Sequence, residues 1–462
     1  MKMVKSLLLG TAAGLVAMTG AQAADLPVKA KTVQYVKICS LYGAGFYYIP
    51  GTDTCIKVGG WVRMQMGYGY NGNMSNGPMA TNSSNRSTTD FSTRNRGYIT
   101  ADARSQTEYG TLRSYIAVGL SNDNASNAIV ATNVTTSSAF SANRAFIQFA
   151  GFTAGRSQSF YDHMNYAAVS YHGGSVWTPG GADTGDAGKQ VLAYTAQLGN
   201  GISATLSAED KRRGMTRQAL TASTLVVDTV LLGSVGDKMP DFVGSMRVDQ
   251  AWGSAQVMGA VHDASAMYYS TAASHPANIY GYAIGAGLRV NTPMLGTGDY
   301  VQAQFNWTKG AIGYAMAAAG VNLQKNNGGE SGFGLVTDGI VSAVAGDSIQ
   351  LTTAWSVGAS YEHNWNSKWK TSAYGGYTDV NYNDTATALF AAVTNGVSGT
   401  TNLDFSTWQI GSRTAWAPVT NLEVGVDVLY TKLNSANSGV AASSQNQSAW
   451  VSQLRVQRNF YP

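Results

Sequence analysis

The only two cysteines of this 462-residue chain, Cys39 and Cys55, flank one short segment. The sequence holds no second cysteine pair that would complete a zinc site. In an oxidising compartment the two thiols can form a disulfide, which would close a loop of about 15 residues and restrict the unfolded chain by roughly 3 kcal/mol. Two buried free thiols are the alternative. We predict a disulfide that staples residues 39–55 just before the first strand.

Arginine is the second residue type whose spacing suggests a chemical role. Arg94, Arg96 and Arg104 are separated by even numbers of residues, which places them on one face of an alternating strand. A row of guanidinium groups that faces water attracts anions and orients dipolar solutes. Pairing with nearby acids is the alternative role. The residues predicted to form this basic wall are Arg63, Arg94, Arg96, Arg104, Arg113 and Arg144.

Acids that would oppose such a wall occur in the segment 160–188, which contains Asp162, Asp183 and Asp186. Two glycine pairs, at 173–174 and 180–181, permit tight folding of this segment. Acids that face a basic wall create a transverse field across the space between them. Ordinary solvated loop charge is the alternative for each acid.

The sequence predicts no catalytic, cofactor-binding or metal site. Gly67, Gly69 and Gly72 match a dinucleotide-binding fingerprint literally, but no helical pattern follows them. The five histidines are scattered without metal-ligand spacing, and no Gly-x-Ser-x-Gly motif occurs. The formal net charge of +4 is too slight and too dispersed for nucleic-acid binding.

Residues 1–23 have the features of a cleaved secretory signal. Two lysines precede an apolar run at 7–18, and an Ala-Gln-Ala sequence ends at residue 23. Spanning a bilayer as a helix needs roughly 17 to 25 apolar residues, so the run is too short for a membrane anchor. We therefore predict export, which supplies the oxidising compartment, and one mature domain from residue 24 to 462.

Alternation of apolar and polar residues is the dominant pattern of the chain and marks strands with two unlike faces. In the last segment, Leu454 and Val456 alternate with Gln453, Arg455 and Gln457. A soluble sandwich or propeller would also alternate, but its inward face would be apolar. Here the second face is rich in Arg, Gln, Asn, Ser, Glu and Asp, which suits a wet interior. Charged residues make up only 12% of the chain, against about 25% in average globular domains.

Long and short connections take turns along the chain. Eight long polar links and about seven short turns separate roughly sixteen strands. The long links are residues 70–90, 121–138, 160–188, 211–238, 263–279, 310–348, 381–402 and 434–448. A sheet in a membrane must close on itself, because lipid cannot satisfy an open edge. We predict an all-β, antiparallel transmembrane barrel of about sixteen strands with an aqueous interior.

Three stretches resemble the alphaproteobacterial outer-membrane porins. VQYVKICSLYGAGFYYIPGTDTCIKVGGWVR, residues 33–63, is similar to the amino-terminal signature of that family. NRAFIQFAGFTAGRSQSF, residues 143–160, resembles the strand, turn and strand that lead into its constriction loop, and residues 454–460 resemble its ending. One departure is that Phe460 is followed by Tyr461 and Pro462, whereas an aromatic residue usually ends these chains.

The resemblance implies a homotrimer of sixteen-stranded barrels in the bacterial outer membrane, each with its third long loop folded into its lumen. It implies passive diffusion of small hydrophilic solutes, with no enzymatic activity and no cofactor. The implied partners are outer-membrane lipid, lipopolysaccharide and the barrel-assembly machinery, which would bind the last strand. Binding of lipopolysaccharide phosphates is a further alternative role for arginines near strand ends.

Three other functions compete with a general-diffusion channel. A channel of the same fold that selects sugars, amino acids or anions is the main alternative. An outer-membrane enzyme needs a positioned nucleophile and base, which the sequence does not offer. A structural barrel that anchors the envelope is usually smaller or carries a separate soluble domain.

Overall fold

The computed structural model describes residues 37–69, 83–84, 90–123, 137–172, 188–212, 216–219, 235–269, 273–316, 322–327, 330–342, 346–393, 402–436 and 445–461. The predicted signal peptide, residues 1–23, lies outside these residues, as do Asp183 and Asp186 of the predicted constriction loop.

Sixteen antiparallel strands form one closed sheet, which confirms the predicted barrel. Each strand pairs with its neighbours in chain order, and the last strand pairs with the first, where Trp61 lies opposite Asn459. The strands are β1 (Cys55–Tyr68), β2 (Phe91–Thr107), β3 (Gly110–Asp123), β4 (Ser137–Phe149), β5 (Phe152–Ser157), β6 (Lys189–Gly199), β7 (Ile202–Glu209), β8 (Asp241–Gln250), β9 (Gly253–Asp263), β10 (Tyr280–Asn291), β11 (Tyr300–Lys309), β12 (Thr353–Asn364), β13 (Trp369–Asn381), β14 (Phe405–Trp416), β15 (Leu422–Asn434) and β16 (Gln447–Asn459).

The two faces of the strands meet different surroundings, as the alternation predicts. On β16, Trp450 and Leu454 are exposed on the outer face, whereas Gln453 and Arg455 are buried on the inner face. The lumen is the space that the barrel encloses, and a barrel of sixteen strands is too wide for side chains to fill it. The buried polar side chains therefore face the lumen. The outer face presents apolar side chains, as a barrel in lipid requires.

Short turns lie at one end of the barrel and long loops at the other. The tightest turns are two residues long, at 108–109, 150–151, 200–201 and 251–252. Asn200 and Gly201 both have positive φ, the geometry that joins two antiparallel strands most directly. The turn at 150–151 joins the two strands of the stretch 143–160, and a longer connection, residues 292–299, joins β10 to β11.

The disulfide Cys39–Cys55 is present and lies where the barrel closes. The ladder between β1 and β16 begins only at Trp61, so the first residues of β1 extend beyond it. There a two-residue strand, Tyr47–Tyr48, pairs with residues 55–56 and covers the edge of β1. The stapled segment thus completes the sheet at the point where the last strand runs out.

The long loops contribute a buried apolar cluster of their own. Helix α1 (Asp384–Val393) packs with the short strands Glu330–Leu335 and Gly339–Ser342. These elements cover apolar side chains at the loop ends of β12–β16, namely Ala354, Val380, Phe405, Leu433 and Ala449. Within the described residues, no helix has both the length and the apolar composition needed to cross a membrane.

Candidate pore lining

The six arginines of the predicted basic wall all lie on the lumen face of β1–β4. Across the β1–β2 pair, Arg63 lies directly opposite Arg96. Across the β2–β3 pair, Arg104 lies directly opposite Arg113. Like charges in such positions repel each other, so each pair needs compensating groups nearby.

Asp102 supplies that compensation for one arginine pair. Its carboxylate accepts from Arg104 Nε and Nη2 at 2.9 and 2.7 Å, and from Arg113 Nε and Nη2 at 3.0 and 2.9 Å. Bidentate contacts of this kind fix guanidinium groups in place. Sequence reasoning missed Asp102, although its position two residues before Arg104 puts it on the same face.

The other wall arginines also bond within the barrel wall. Arg94 forms an ion pair with Asp123 of β3, a second acid that the sequence prediction did not single out. Arg63 Nε donates to Gln457 Oε1 at 2.7 Å, and Arg96 Nε donates to Ser121 Oγ at 3.3 Å. Arg144, the last arginine of the predicted wall, donates from Nη1 to the Asn143 carbonyl at 2.8 Å.

Asp162 pairs with Arg212 rather than with the early arginines. The carboxylate of Asp162 and the hydroxyl of Ser159 both accept from Arg212 Nη2, and all three side chains are buried. The ring of Tyr161 lies 5.4 Å from the same guanidinium. Asp162 therefore fastens the start of the third long loop (residues 158–188) instead of facing the basic wall directly.

The described part of that loop, residues 158–172, runs along the lumen face of the strands opposite the basic wall. The backbone N–H groups of His163 and Met164 both donate to Gln304 Oε1 of β11, at 3.0 and 2.9 Å. Tyr166 Oη donates to the Gly375 carbonyl of β13 at 2.7 Å. These contacts join residues 163–166 of the loop to inward-facing strands of the barrel.

Asp427 of β15 accepts hydrogen bonds from the end of this loop segment. One of its oxygens accepts from Ser170 Oγ at 3.0 Å and from the Tyr171 backbone N–H at 2.5 Å, and the other accepts from Tyr374 Oη at 2.6 Å. Nε2 of His172 lies 3.8 Å from Oδ1 of Asp427, and the His172 side chain is buried. Asp427 was not among the residues that sequence singled out, because alternation alone does not reveal which inward acid contacts a loop.

Two histidines of this segment are held neutral by their surroundings. Burial, aided by Arg247, lowers the pKa of His163 to about 4. Burial also lowers the pKa of His172. Near neutral pH the segment therefore adds no imidazolium charge to the lumen.

The stapled segment also contacts the lumen face. Lys57 Nζ donates to the Ala44 carbonyl at 3.3 Å, and the guanidinium of Arg104 lies 5.0 Å from the Phe46 ring centroid. The hairpin thus packs onto two inward cations at the turn end of the barrel. Among the described residues, no group of three or more His, Cys, Asp or Glu side chains has the arrangement of a metal site.

Comparison with known proteins agrees with this architecture. The sequence model of the Porin subfamily matches residues 25–455. Porin Omp2b of Brucella suis biovar 1 is 33% identical over 258 residues, and porin Omp2b of Brucella canis is 34% identical over 255 residues. Each alignment covers 54% of this chain, and the chain spans 64% of the length of these relatives.

A solved structure shares the fold. The outer membrane channel DcaP of Acinetobacter baumannii superposes with a TM-score of 0.61 at 14% sequence identity, over 89% of this chain and 99% of that one.

Proposed function

The chain belongs to the Porin subfamily, and on that premise we propose that it forms a water-filled channel through which small hydrophilic solutes diffuse passively. Family and fold together imply the bacterial outer membrane, and a channel rather than an enzyme. The observation that carries the proposal is the closed barrel of sixteen strands, with an exposed apolar outer face and a polar lumen face. A barrel of this size is too wide for side chains to fill, so water occupies the rest.

A preference for anions is the second candidate, and one observation favours it. The described charged side chains on the lumen face of β1–β4 are seven bases and two acids. The bases are Lys57, Arg63, Arg94, Arg96, Arg104, Arg113 and Arg144, and the acids are Asp102 and Asp123. Elsewhere on the lumen face, several bases pair with acids, as in the Arg413–Glu362 and Arg247–Asp249 pairs. An excess of fixed positive charge along one wall raises the local concentration of anions.

The third long loop is proposed to narrow the passage. Its described part covers the lumen face of β7–β16, so it leaves the passage on the side of the basic wall. We place Asp162 among the residues that hold the loop, and Asp183 and Asp186 as candidates for acids that face the wall. Export by the signal 1–23, assembly as a homotrimer, insertion through the last strand and contact with lipopolysaccharide complete the proposal.

Planar-bilayer recording of the purified chain tests the channel. We expect stepwise, ohmic conductance, and in a salt gradient a zero-current potential of the sign that anion preference gives. A chain that inserts as a folded barrel but does not conduct would overturn the proposal. Saturable flux that one solute blocks would favour a selective channel instead.

Neutralising the wall tests its role in selectivity. The triple variant R94Q/R96Q/R113Q should shift the zero-current potential toward cation preference. Arg458→Gln is the matched control, because this arginine lies on the outer face of β16 and donates to the Thr420 carbonyl. An unchanged potential in the triple variant would show that these arginines do not set selectivity.

A further inference from the structure

The sixth long loop, residues 310–352, sends one turn into the lumen. Ile312–Tyr314 forms a short 3₁₀ turn in which all three residues are buried. Tyr314 packs with Val243 and Met258, which face the lumen from β8 and β9. A residue of a surface loop reaches such partners only if the loop enters the barrel.

Residues of the same turn also pack with strands farther around the barrel. Ile312 and Met316 pack with Ala354, Phe405 and Leu433, which face inward from β12, β14 and β15. Neighbouring side chains of one turn thus contact two separate walls. The turn therefore bridges inward-facing side chains of β8–β9 and of β12–β15.

The turn meets the third long loop inside the barrel. The rings of Tyr314 and Tyr161 lie 4.6 Å apart between centroids. The guanidinium of Arg212, which bonds to Asp162, lies 4.6 Å from the Tyr314 ring. One cation therefore joins the two loops, through an ion pair on one side and a cation–π contact on the other.

A buried chain of charged groups holds the sixth loop in place. His262 of β9 lies between Asp241 of β8, at 2.7 Å from Nδ1, and Asp338 of the loop, at 3.2 Å from Nε2. Asp338 also accepts from the Ile312 backbone N–H at 2.8 Å. Asp241 accepts from Tyr314 Oη at 2.9 Å.

This geometry favours a His262 ring that carries a proton on both nitrogens. A neutral imidazole has only one N–H, so one ring nitrogen would present its lone pair to a carboxylate. With both nitrogens protonated, His262 donates to both carboxylates and bridges the wall to the loop. All three side chains are at most 2% exposed, so water does not replace these bonds.

We propose that the sixth long loop is a second pore loop, and that the Asp241–His262–Asp338 bridge locks it in the lumen, where with the third loop it limits the size of solute that passes. This inference rests on the proposed channel function and adds the residues that set its size limit. Asp338 and His262 are positioning residues, since they act through the turn 312–314 and not on the solute.

Asp338→Asn is the variant that tests the lock, because it removes the charge that His262 faces and keeps the size of the side chain. We expect its single-channel conductance to rise roughly 1.5-fold or more, because the released turn would no longer narrow the passage. Larger neutral sugars should then enter liposomes that contain the variant. Amide hydrogen exchange of residues 311–316 should become faster at the same time. Asp347→Asn is the matched control, since Asp347 is exposed in the same loop, and Asp338→Glu should restore the wild-type size limit.

Each outcome decides one part of the inference. Unchanged exchange at 311–316 would show that Asp338 is no lock. Faster exchange with unchanged conductance and size limit would show that the turn is no part of the passage. If Asp338→Asn does not fold, Tyr314→Ala, which keeps the His262 bridge, should raise conductance, and an unchanged value would overturn the proposal. A wild-type barrel that does not conduct refutes the channel function itself, and hydrogen exchange alone then decides whether the lock exists.

Discussion

Replacing Asp427 by alanine should release the end of the described third-loop segment while leaving the barrel intact. The carboxylate is fully buried and accepts three hydrogen bonds, from Ser170, from the Tyr171 backbone and from Tyr374. A buried donor that loses its partner costs about 1–3 kcal/mol. Only two of these donors, the Ser170 hydroxyl and the Tyr171 N–H, belong to the loop. Because the hydroxyl can rotate toward another acceptor, we expect a loss near the lower end, about 2–4 kcal/mol of loop docking.

Amide hydrogen exchange measures this effect locally. A loss of about 2–4 kcal/mol corresponds to exchange that is roughly 30- to 700-fold faster at residues 166–172, since 1.4 kcal/mol is a factor of ten. The strand amides should be unaffected, because their ladder bonds do not involve this side chain. Asp53→Ala removes an exposed acid of the stapled segment and serves as the control. Unchanged protection at 166–172 in Asp427→Ala would refute the anchoring role.

Three further predictions concern closure, stability and pH. Replacing Cys39 and Cys55 by serine should lower the free energy of unfolding by roughly 3 kcal/mol, and an unchanged denaturation midpoint would contradict this. Gly60→Ala should reduce the fraction that refolds to a closed barrel, because the new Cβ would lie 2.2 Å from the Tyr98 carbonyl oxygen; Gly97→Ala, which meets nothing within 4 Å, should refold normally. The pKa of His163 is about 4, below its usual 6.5, so the docked loop binds fewer protons than the undocked one. The contribution of neutral His163 to the stability of the docked loop is fully present above about pH 6.5 and is lost as pH falls toward 4. Melting temperatures across this range should therefore fall less in His163→Gln than in wild type, and parallel profiles would argue against it.

The strands and their two faces follow from the sequence because alternation is a local property. Arg104 and Arg113 sit on the lumen face, as period two requires, and the same rule would have placed Asp102 between them. Alternation does not reveal which residue of the neighbouring strand lies opposite. Register decides that the carboxylate of Asp102 meets both guanidinium groups, and register depends on turn lengths along the whole sheet.

The loop contacts lie beyond local rules for a different reason. Asp338 meets His262 across 76 residues of sequence, and Arg455 donates to the Tyr171 carbonyl across 284. No periodicity links such distant positions. The sequence describes the sixth long link as polar, yet the structure buries Leu335 and Ile340 within it, because strands at the barrel mouth supply apolar partners that composition does not reveal.

Those partners explain the apolar exception to the polar lumen face. Val380, Phe405 and Leu433 face inward at the loop ends of their strands, where bare contact with channel water would cost the free energy of exposing apolar surface. They are buried because the sixth and seventh loops cover them. Toward the strands β1–β4 the lumen face carries arginines instead, and the described parts of the third and sixth loops pack on other walls. The described inner surface is therefore divided: loops contact inward-facing apolar and acidic side chains of β7–β16, and the basic side chains of β1–β4 form the part that we propose to line the passage.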